Sequence, residues 1–479
     1  MKTVDIEAFQ QFEDDFGVFD LRVDGVRFWE RIRFQLFRAV NPDTLGKAHS
    51  ETGSGWRAYA KGGTQWLRNV FLKNPFLASS SDLMFVGTGR RKLEPDGQYW
   101  DIYCDPIHTA CDYDYAHFEQ PYQLRHETPA KTENLRYLDL IEFSSTIWNM
   151  VQRETVDLRS DERERLEEID GAIDDRFGVS VDLTSWVRRL LSHRRNKLPL
   201  YERLLNRVDP AALVIVTSYG KETLIEAGKN KDIPVIELQH GLLSEKHLGY
   251  SFPGDRTKET FPDYFFTFGE FWKGYVEYPI PDSHVVPIGY PYLERRAGSY
   301  ADIEARDQIL FISQGKIGEE LSQFAVELNG QTDHDIVYKL HPGEYDRWRD
   351  EYPWLIDSGV TVVDSDEPPL YQLMSESTIQ VGVGSTAIFE GLAFDLRTYI
   401  VDLPDAQDSE FLIEERYADL VSTPEELLTS ADEVSSPDLE SLFKSNSIQN
   451  FENALKAITT DEEQLQSRSQ KRSRNVTIL

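Results

Sequence analysis

The sequence predicts an α/β protein made of two Rossmann-like domains that face a cleft, preceded by an N-terminal extension. Three observations predict it. The chain has 479 residues, more than one ordinary hydrophobic core organises and a length that suits two domains. Short β-branched runs alternate with helix-length segments, the pattern of parallel strands joined by helical crossovers. That alternation occurs twice, on either side of a polar stretch, and each series is long enough for one doubly wound sheet.

Residues 1–80 are the expected extension. Within it, Phe16–Val40 begins with alternating apolar residues about Asp24-Gly25 and changes to helical spacing at Phe28, Trp29, Ile32, Phe34 and Leu36, which reads as a hairpin feeding a helix. Over residues 26–80 nine bases oppose three acids, so this part is basic within an acidic chain. Between residues 56 and 77, Trp66, Leu67, Val70, Phe71 and Leu72 are interleaved with Lys61, Arg68 and Lys73, which suits peripheral contact with an anionic membrane. The first domain is expected over 81–293, with strands at Asp82–Val86, Ala212–Thr217, Pro234–Leu238 and Tyr264–Phe268. An insertion near 150–200 carries an acidic stretch, Arg153–Asp175, that reads as a solvated helix. Residues 294–307 read as a linker. The second domain is expected over 308–458, with strands at Ile309–Ile312, Ile336–Leu340, Val360–Val363, Thr378–Val381 and Arg397–Val401, and 459–479 as a polar tail that frays.

Composition narrows the functional classes. With 83 Asp+Glu against 51 Lys+Arg the formal net charge is −32, which argues against binding nucleic acid as a bulk cation. The bases comprise 18 Lys and 33 Arg. An acidic, Lys-poor surface suits molar salt, where a Debye length of about 3 Å removes most self-repulsion, and it predicts a halophilic protein. Cys104 and Cys111 are the only cysteines, too few for a disulfide framework or a zinc site. No apolar h-region opens the chain and no run of 18 apolar residues occurs, so the expected location is cytoplasmic, at most peripheral at the inner membrane face.

Ligands in open α/β folds bind beyond the carboxyl ends of the strands, so the strand ends are where chemistry is sought. Gln239-His240-Gly241 follows the strand Pro234–Leu238, and an imidazole on such a tight turn can serve as general base. Gly87 and Arg90, at the end of the first strand, and His247, downstream of His240, are further candidates on the same domain. Lys339-Leu340-His341-Pro342-Gly343-Glu344 ends a strand of the second domain, and Pro342 holds His341 extended at a helix entrance, where free N–H groups favour an anion. Gly384-Ser385-Thr386 ends another strand: the glycine is expected to let backbone approach a ligand, the hydroxyls to cap a helix and cradle phosphate. Glu390, one turn on, would meet ribose hydroxyls.

Together Gln239-His240-Gly241, the 339–344 and 384–391 segments and Ile288-Gly289-Tyr290-Pro291 resemble the capsule-polysaccharide transferase group, which is similar to bacterial polysialyltransferases and to CDP-glycerol glycerophosphotransferases. The resemblance covers roughly Asp82–Ser422 and implies a GT-B fold with the nucleotide donor in the C-terminal domain and transfer without a metal. It implies that His341, Ser385 and Thr386 address donor phosphate, with Lys339 and Glu344 beside them, and that His240 serves the acceptor side. The polysialyltransferases use an acidic pair before a glycine. Here Glu94-Pro95-Asp96-Gly97 has a proline inside that pair, and Asp96 stands as the alternative base.

The expected function is a glycosyltransferase that moves a sugar from a nucleotide-activated donor to a glycan or lipid-linked acceptor in surface polysaccharide or glycoprotein-glycan assembly, with the nucleotide sugar as substrate and no cofactor. A CDP-alditol-type phosphotransferase, a non-hydrolysing NDP-sugar 2-epimerase and a catalytically silent scaffold are the alternatives.

Overall fold

The computed structural model describes residues 4–41, 69–89, 91–122, 125–144, 156–430 and 435–459. It divides into two compact units, one formed by the described residues up to Gly289 together with those from Asn446 onward, the other by Tyr290–Ser445. The strands, in chain order, are β1 (Arg22–Val23), β2 (Val26–Arg27), β3 (Leu83–Gly87), β4 (Lys92–Leu93), β5 (Tyr99–Trp100), β6 (Tyr115–Glu119), β7 (Leu135–Tyr137), β8 (Ala212–Val216), β9 (Val235–Leu238), β10 (Tyr264–Thr267), β11 (Val285–Pro287), β12 (Gln308–Ile312), β13 (Asp335–Lys339), β14 (Thr361–Val363), β15 (Ile379–Gly382), β16 (Arg397–Val401) and β17 (Ala418–Val421).

In the first unit seven strands pair in the order β11-β10-β9-β8-β3-β6-β7, all parallel. β3 and β8 are buried at every position because helices cover both faces. Their side chains alternate accordingly. Met84, Val86, Leu213 and Ile215 pack with Tyr201, Leu204 and Leu205 of the helix Leu183–Val208. Leu83, Phe85, Val214 and Val216 share the opposite core with Phe451, Leu455 and Ile458. Those last residues form one face of the helix Ser447–Thr459. The expected second domain, 308–458, is therefore corrected at its end: the i, i+4, i+7 apolar stripe of this helix is buried on the first sheet.

The extension and the insertion share a core of their own within this unit. Phe9, Phe12, Trp29, Ile32 and Leu36 pack with Leu166, Ile169, Ile173 and Val187. The hairpin β1-β2 turns at Asp24 (φ 51°) and Gly25 (φ 75°) and feeds the helix Trp29–Val40, as its sequence predicts. The acidic helix, Ser160–Phe177, is amphipathic and docked, not merely solvated. The bases of the extension also find acids inside the unit: Arg27 pairs with Glu259, Arg31 with Glu226 and Arg33 with Glu13.

The second unit has a six-stranded parallel sheet in the order β14-β13-β12-β15-β16-β17. Numbered from its own first strand this is 3-2-1-4-5-6, the doubly wound order, and the first sheet, read from β7, runs the same way with one strand added. The two-domain α/β fold class with an N-terminal extension is thereby established. The linker expectation is corrected, since Pro291–Tyr300 is a helix of the second unit with Tyr292 and Leu293 buried. The chain passes between the units at Gly289–Tyr290 and at Ser445–Asn446, where Gly289 (φ 102°) and Asn446 (φ 59°) hold left-handed backbone.

Candidate functional site

The 3-2-1-4 order reverses, between the first and fourth strands, the direction in which successive strands are added across the sheet, and ligands bind in the crevice this leaves at their carboxyl ends. In the second unit those strands are β12 and β15. The loop after β12, Ser313-Gln314-Gly315, meets the loop after β15, Gly384-Ser385, through one side chain: the Gln314 amide accepts the Gly384 N–H at 3.1 Å and donates to the Gly384 carbonyl. Gln314 thus pins the two loops as a backbone strand would. Ser385 is the N-cap of the helix Thr386–Gly391, its hydroxyl accepting from Ala387 N at 3.2 Å. A Cβ on Gly384 would run into the Asp405 carbonyl, so the glycine answers to close packing of protein on protein, which corrects the expectation of close approach to a ligand. Thr386 is half-buried on the first turn, and Glu390 accepts the Tyr371 hydroxyl at 2.8 Å.

His341 follows β13, next to β12, and is exposed. Its Nδ1 accepts the Gly343 N–H at 3.1 Å, which places the ring proton on Nε2 as a donor, the tautomer that suits an anion. Glu344 braces this arrangement from below. It is fully buried, with Oε2 accepting the His341 N–H at 2.8 Å and Oε1 the Tyr352 hydroxyl at 2.7 Å, which corrects its assignment to ligand binding. Lys339 is corrected likewise: its ammonium is 2.7 Å from the Tyr345 hydroxyl and donates to the Ser365 carbonyl, under the strand end.

In the first unit the reversal lies between β3 and β8, with β9 alongside. β8 runs into Thr217, a β-branched residue at φ 66°, a conformation that costs about 1–3 kcal/mol and needs support. Lys221 supplies it, its buried ammonium donating to the Val216 and Thr217 carbonyls at 2.8 and 3.0 Å. Beyond β9, half-buried His240 sits among aromatic residues. Its carbonyl accepts the Tyr103 hydroxyl at 2.5 Å, its Nδ1 is 3.3 Å from the Tyr250 hydroxyl and its Nε2 3.4 Å from that of Tyr219. His247 stacks on Phe34 of the extension at 5.1 Å, and burial pushes it down to about 4, so it stays a neutral wall. The Tyr250 hydroxyl donates to Glu237, which faces inward from β9.

A second group of titratable residues lies at the ends of β3 and β6. Arg91 bonds Glu119 at 2.5 Å and lies 3.6 Å from Asp105, and His126 bridges Glu119 and Asp139 at 2.5 and 2.7 Å. His117 lies 3.8 Å from Asp101 and 2.9 Å from His108. A Cβ on Gly87 would run into Asp101, which explains that glycine. Burial raises Asp105 to about 7 and holds His117 neutral, whereas for His126 desolvation is outweighed by the bonds to Asp139 and Glu119, which raise it above the ordinary imidazole value. Asp96, the alternative base, is instead an exposed turn residue of the β4-β5 hairpin, accepting Gln98 N at 2.9 Å. Arg90 and Trp66 lie outside the described residues. Sequence reasoning missed Gln314, Glu237, Asp101, Asp105 and Glu119. The signal available for Glu237 was a carboxylate inside an otherwise apolar strand.

Among the described residues no group of three or more His, Cys, Asp or Glu is arranged to hold a metal, and no helix is long and apolar enough to cross a membrane. No protein-family model matches the chain, and no curated protein matches it. Solved structures do. The UDP-GlcNAc 2-epimerase of Methanocaldococcus jannaschii is 11% identical with a TM-score of 0.45, covering 78% of this chain and 99% of that one. The wall teichoic acid polymerase TagF is 10% identical with a TM-score of 0.42, over 86% and 99%. MurG of Acinetobacter baumannii is 12% identical with a TM-score of 0.41, over 79% and 97%. At these identities and TM-scores the chemistry of the chain is left to its own residues.

Proposed function

We propose that the protein is a glycosyltransferase that takes a sugar from a nucleotide-activated donor bound in the second unit. The observation that carries this reading is the furnishing of the β12/β15 reversal: Ser385 at a helix entrance, the Gln314–Gly384 clamp and, one strand away, His341 presenting Nε2–H. The Ser385 hydroxyl and the His341 Nε2–H are groups that can donate to a diphosphate, and the clamp, whose own hydrogen bonds are used up, holds the loops that carry Ser385. In the first unit His240 is the candidate base for an acceptor hydroxyl. Thermal unfolding with CMP, CDP, UDP, GDP and dTDP in molar KCl tests the donor half. A binder at 100 times its Kd adds about 2.7 kcal/mol of stability. No shift with any of them removes the reading.

One observation favours the 2-epimerase as a second reading: Asp101, Asp105 and Glu119 supply carboxylates at the ends of β3 and β6. Inverting C2 breaks a C–H bond, so incubation with UDP-GlcNAc in D₂O separates the two. Deuterium at C2 without any acceptor supports epimerisation, and its absence, with sugar transfer on adding acceptor, supports the transferase.

A glycan or lipid-linked acceptor and peripheral contact with an anionic membrane belong to the same proposal. Phe71 (73% exposed), Leu72 (61%) and Leu77 (57%) stand out beside Lys73. Wild type is expected to float with anionic liposomes and a Phe71→Glu/Leu72→Glu variant to be released. Equal flotation of both would refute this surface.

A further inference from the structure

His240 can act as a base only through a ring nitrogen that carries a lone pair, and an imidazole on a loop has two neutral tautomers to choose from. The side chains behind His240 make that choice. Glu237 is three residues upstream on β9 and fully buried, with Oε1 accepting the Ser218 N–H at 2.9 Å and the Tyr250 O–H. Tyr250 is itself fully buried among Tyr219, His247 and Phe265. The turn that carries it is tied down on both sides. Tyr250 N bonds the His247 carbonyl at 2.8 Å, and Arg33 of the extension bonds the carbonyls of Leu248 and Ser251 at 3.1 and 2.6 Å.

The Tyr250 hydroxyl has one proton, and Glu237 accepts it. Toward His240 the Tyr250 oxygen can then only accept, and the group that donates to it at 3.3 Å must be Nδ1–H. With the proton on Nδ1, the lone pair is on Nε2, the nitrogen whose direction the Tyr219 hydroxyl marks at 3.4 Å. Tyr103 fixes the remaining freedom by holding the His240 carbonyl.

We propose that Glu237 and Tyr250 are positioning residues that form a relay behind His240, fixing its Nδ1–H tautomer and stabilising the imidazolium once Nε2 has taken a proton. The inference rests on His240 as the base of the proposed reaction. The same relation between carboxylate, imidazole and nucleophile orders catalytic triads, here lengthened by one phenol. The proton that Nε2 takes comes from the acceptor hydroxyl, the electron pair of that O–H bond becomes the attacking pair, and Nδ1–H and the Tyr250 proton stay where they are. Burial pushes Glu237 up to about 7, against hydrogen bonds from Tyr250 and Ser218 and the charge of Lys221. These groups, with Tyr278, are the polar and titratable side chains facing it. Glu237 is thus placed in the range where imidazoles titrate, and the two groups titrate as a pair in which the charge of each favours that of the other.

Nitrogen-15 NMR of the histidine-labelled protein tests this without substrate, with the His240 signals assigned by their loss in His240→Gln and folding checked by the other histidines. At pH 8 wild type is expected to show Nδ1 protonated and Nε2 unprotonated. Tyr250→Phe is expected to lose that preference. Glu237→Gln, which keeps a hydrogen-bond acceptor and removes the charge, is expected to lower the pH at which His240 titrates by on the order of 0.5–1 unit. A wild-type Nε2–H tautomer, or an unchanged tautomer and titration in both variants, overturns the relay. Turnover separates it from the parent reading. If His240→Gln keeps full turnover of the nucleotide sugar that wild type consumes, His240 is not the base even where the NMR result stands.

Discussion

The carboxyl ends of the two sheets share one strand order and are furnished differently. At the ends of β3, β6 and β9 stand Asp101, Asp105, Glu119, His117, Glu237 and His240, nearly all buried, and several are pushed far from their ordinary protonation by desolvation. At the ends of β12, β13 and β15 stand Gln314, Ser385 and His341, with the one buried carboxylate, Glu344, used to hold a backbone N–H. A site that moves protons needs groups whose charge can change, and burial brings the carboxylates Asp105 and Glu237 up to about 7 while it holds His117 neutral. A site that holds a phosphate needs fixed donors and no competing negative charge. Under the proposed function, this contrast makes the first unit the chemical side and the second the binding side.

The largest effect that can break the comparison is at His126. If the charged groups of the first unit are mutually satisfied, His126→Ala leaves Glu119 and Asp139 without their shared cation and is expected to cost about 3–5 kcal/mol in denaturant unfolding. The His126 value is raised in the folded state. Its contribution is thus complete below the ordinary imidazole value of 6.5 and is lost as pH rises through the folded value, so the gap between variant and wild type should narrow toward high pH. A loss under about 1 kcal/mol at pH 6 would mean that the cluster is not a coupled network.

A smaller, global effect sharpens the comparison by separating site electrostatics from surface electrostatics. With a net charge of −32, the proposed halophilic surface should make the melting temperature fall as KCl drops from about 1 M to about 0.1 M, where the Debye length grows to about 10 Å. The buried pairs of the first unit are screened far less, so the His126→Ala loss should hardly change with salt. An unchanged melting temperature in low salt contradicts the halophilic reading.

What the sequence revealed follows the same physics. β8 was legible because both faces are covered and it reads as an unbroken apolar run, and β9 and β12 were legible because Glu237 and Gln308 are their only polar residues. β6 was not, because Tyr115–Glu119 carries His117 and Glu119 into the charged cluster, and β17 was not, because Asp419 breaks its run. The helix Ile6–Phe16 was hidden by its acidic face, although Phe9 and Phe12 are wholly buried. His240, His341 and Ser385 were legible since each follows a visible strand. Asp101 was not, because it is brought to the strand end by a loop, and only the fold shows that Asp96, five residues earlier, points to a turn.

The division between a chemical and a binding unit is tested most directly by calorimetric affinity for the nucleotide selected from the CMP, CDP, UDP, GDP and dTDP panel, measured beside single-turnover consumption of its sugar conjugate. His341→Ala is expected to weaken the nucleotide by about 1.5–3 kcal/mol, and Ser385→Ala to do the same with less than additive effect in the double variant. His240→Ala is expected to leave affinity unchanged and slow turnover by roughly 10²–10⁴-fold. If His240→Ala abolishes nucleotide binding and His341→Ala spares it, the donor sits in the first unit and the account is contradicted.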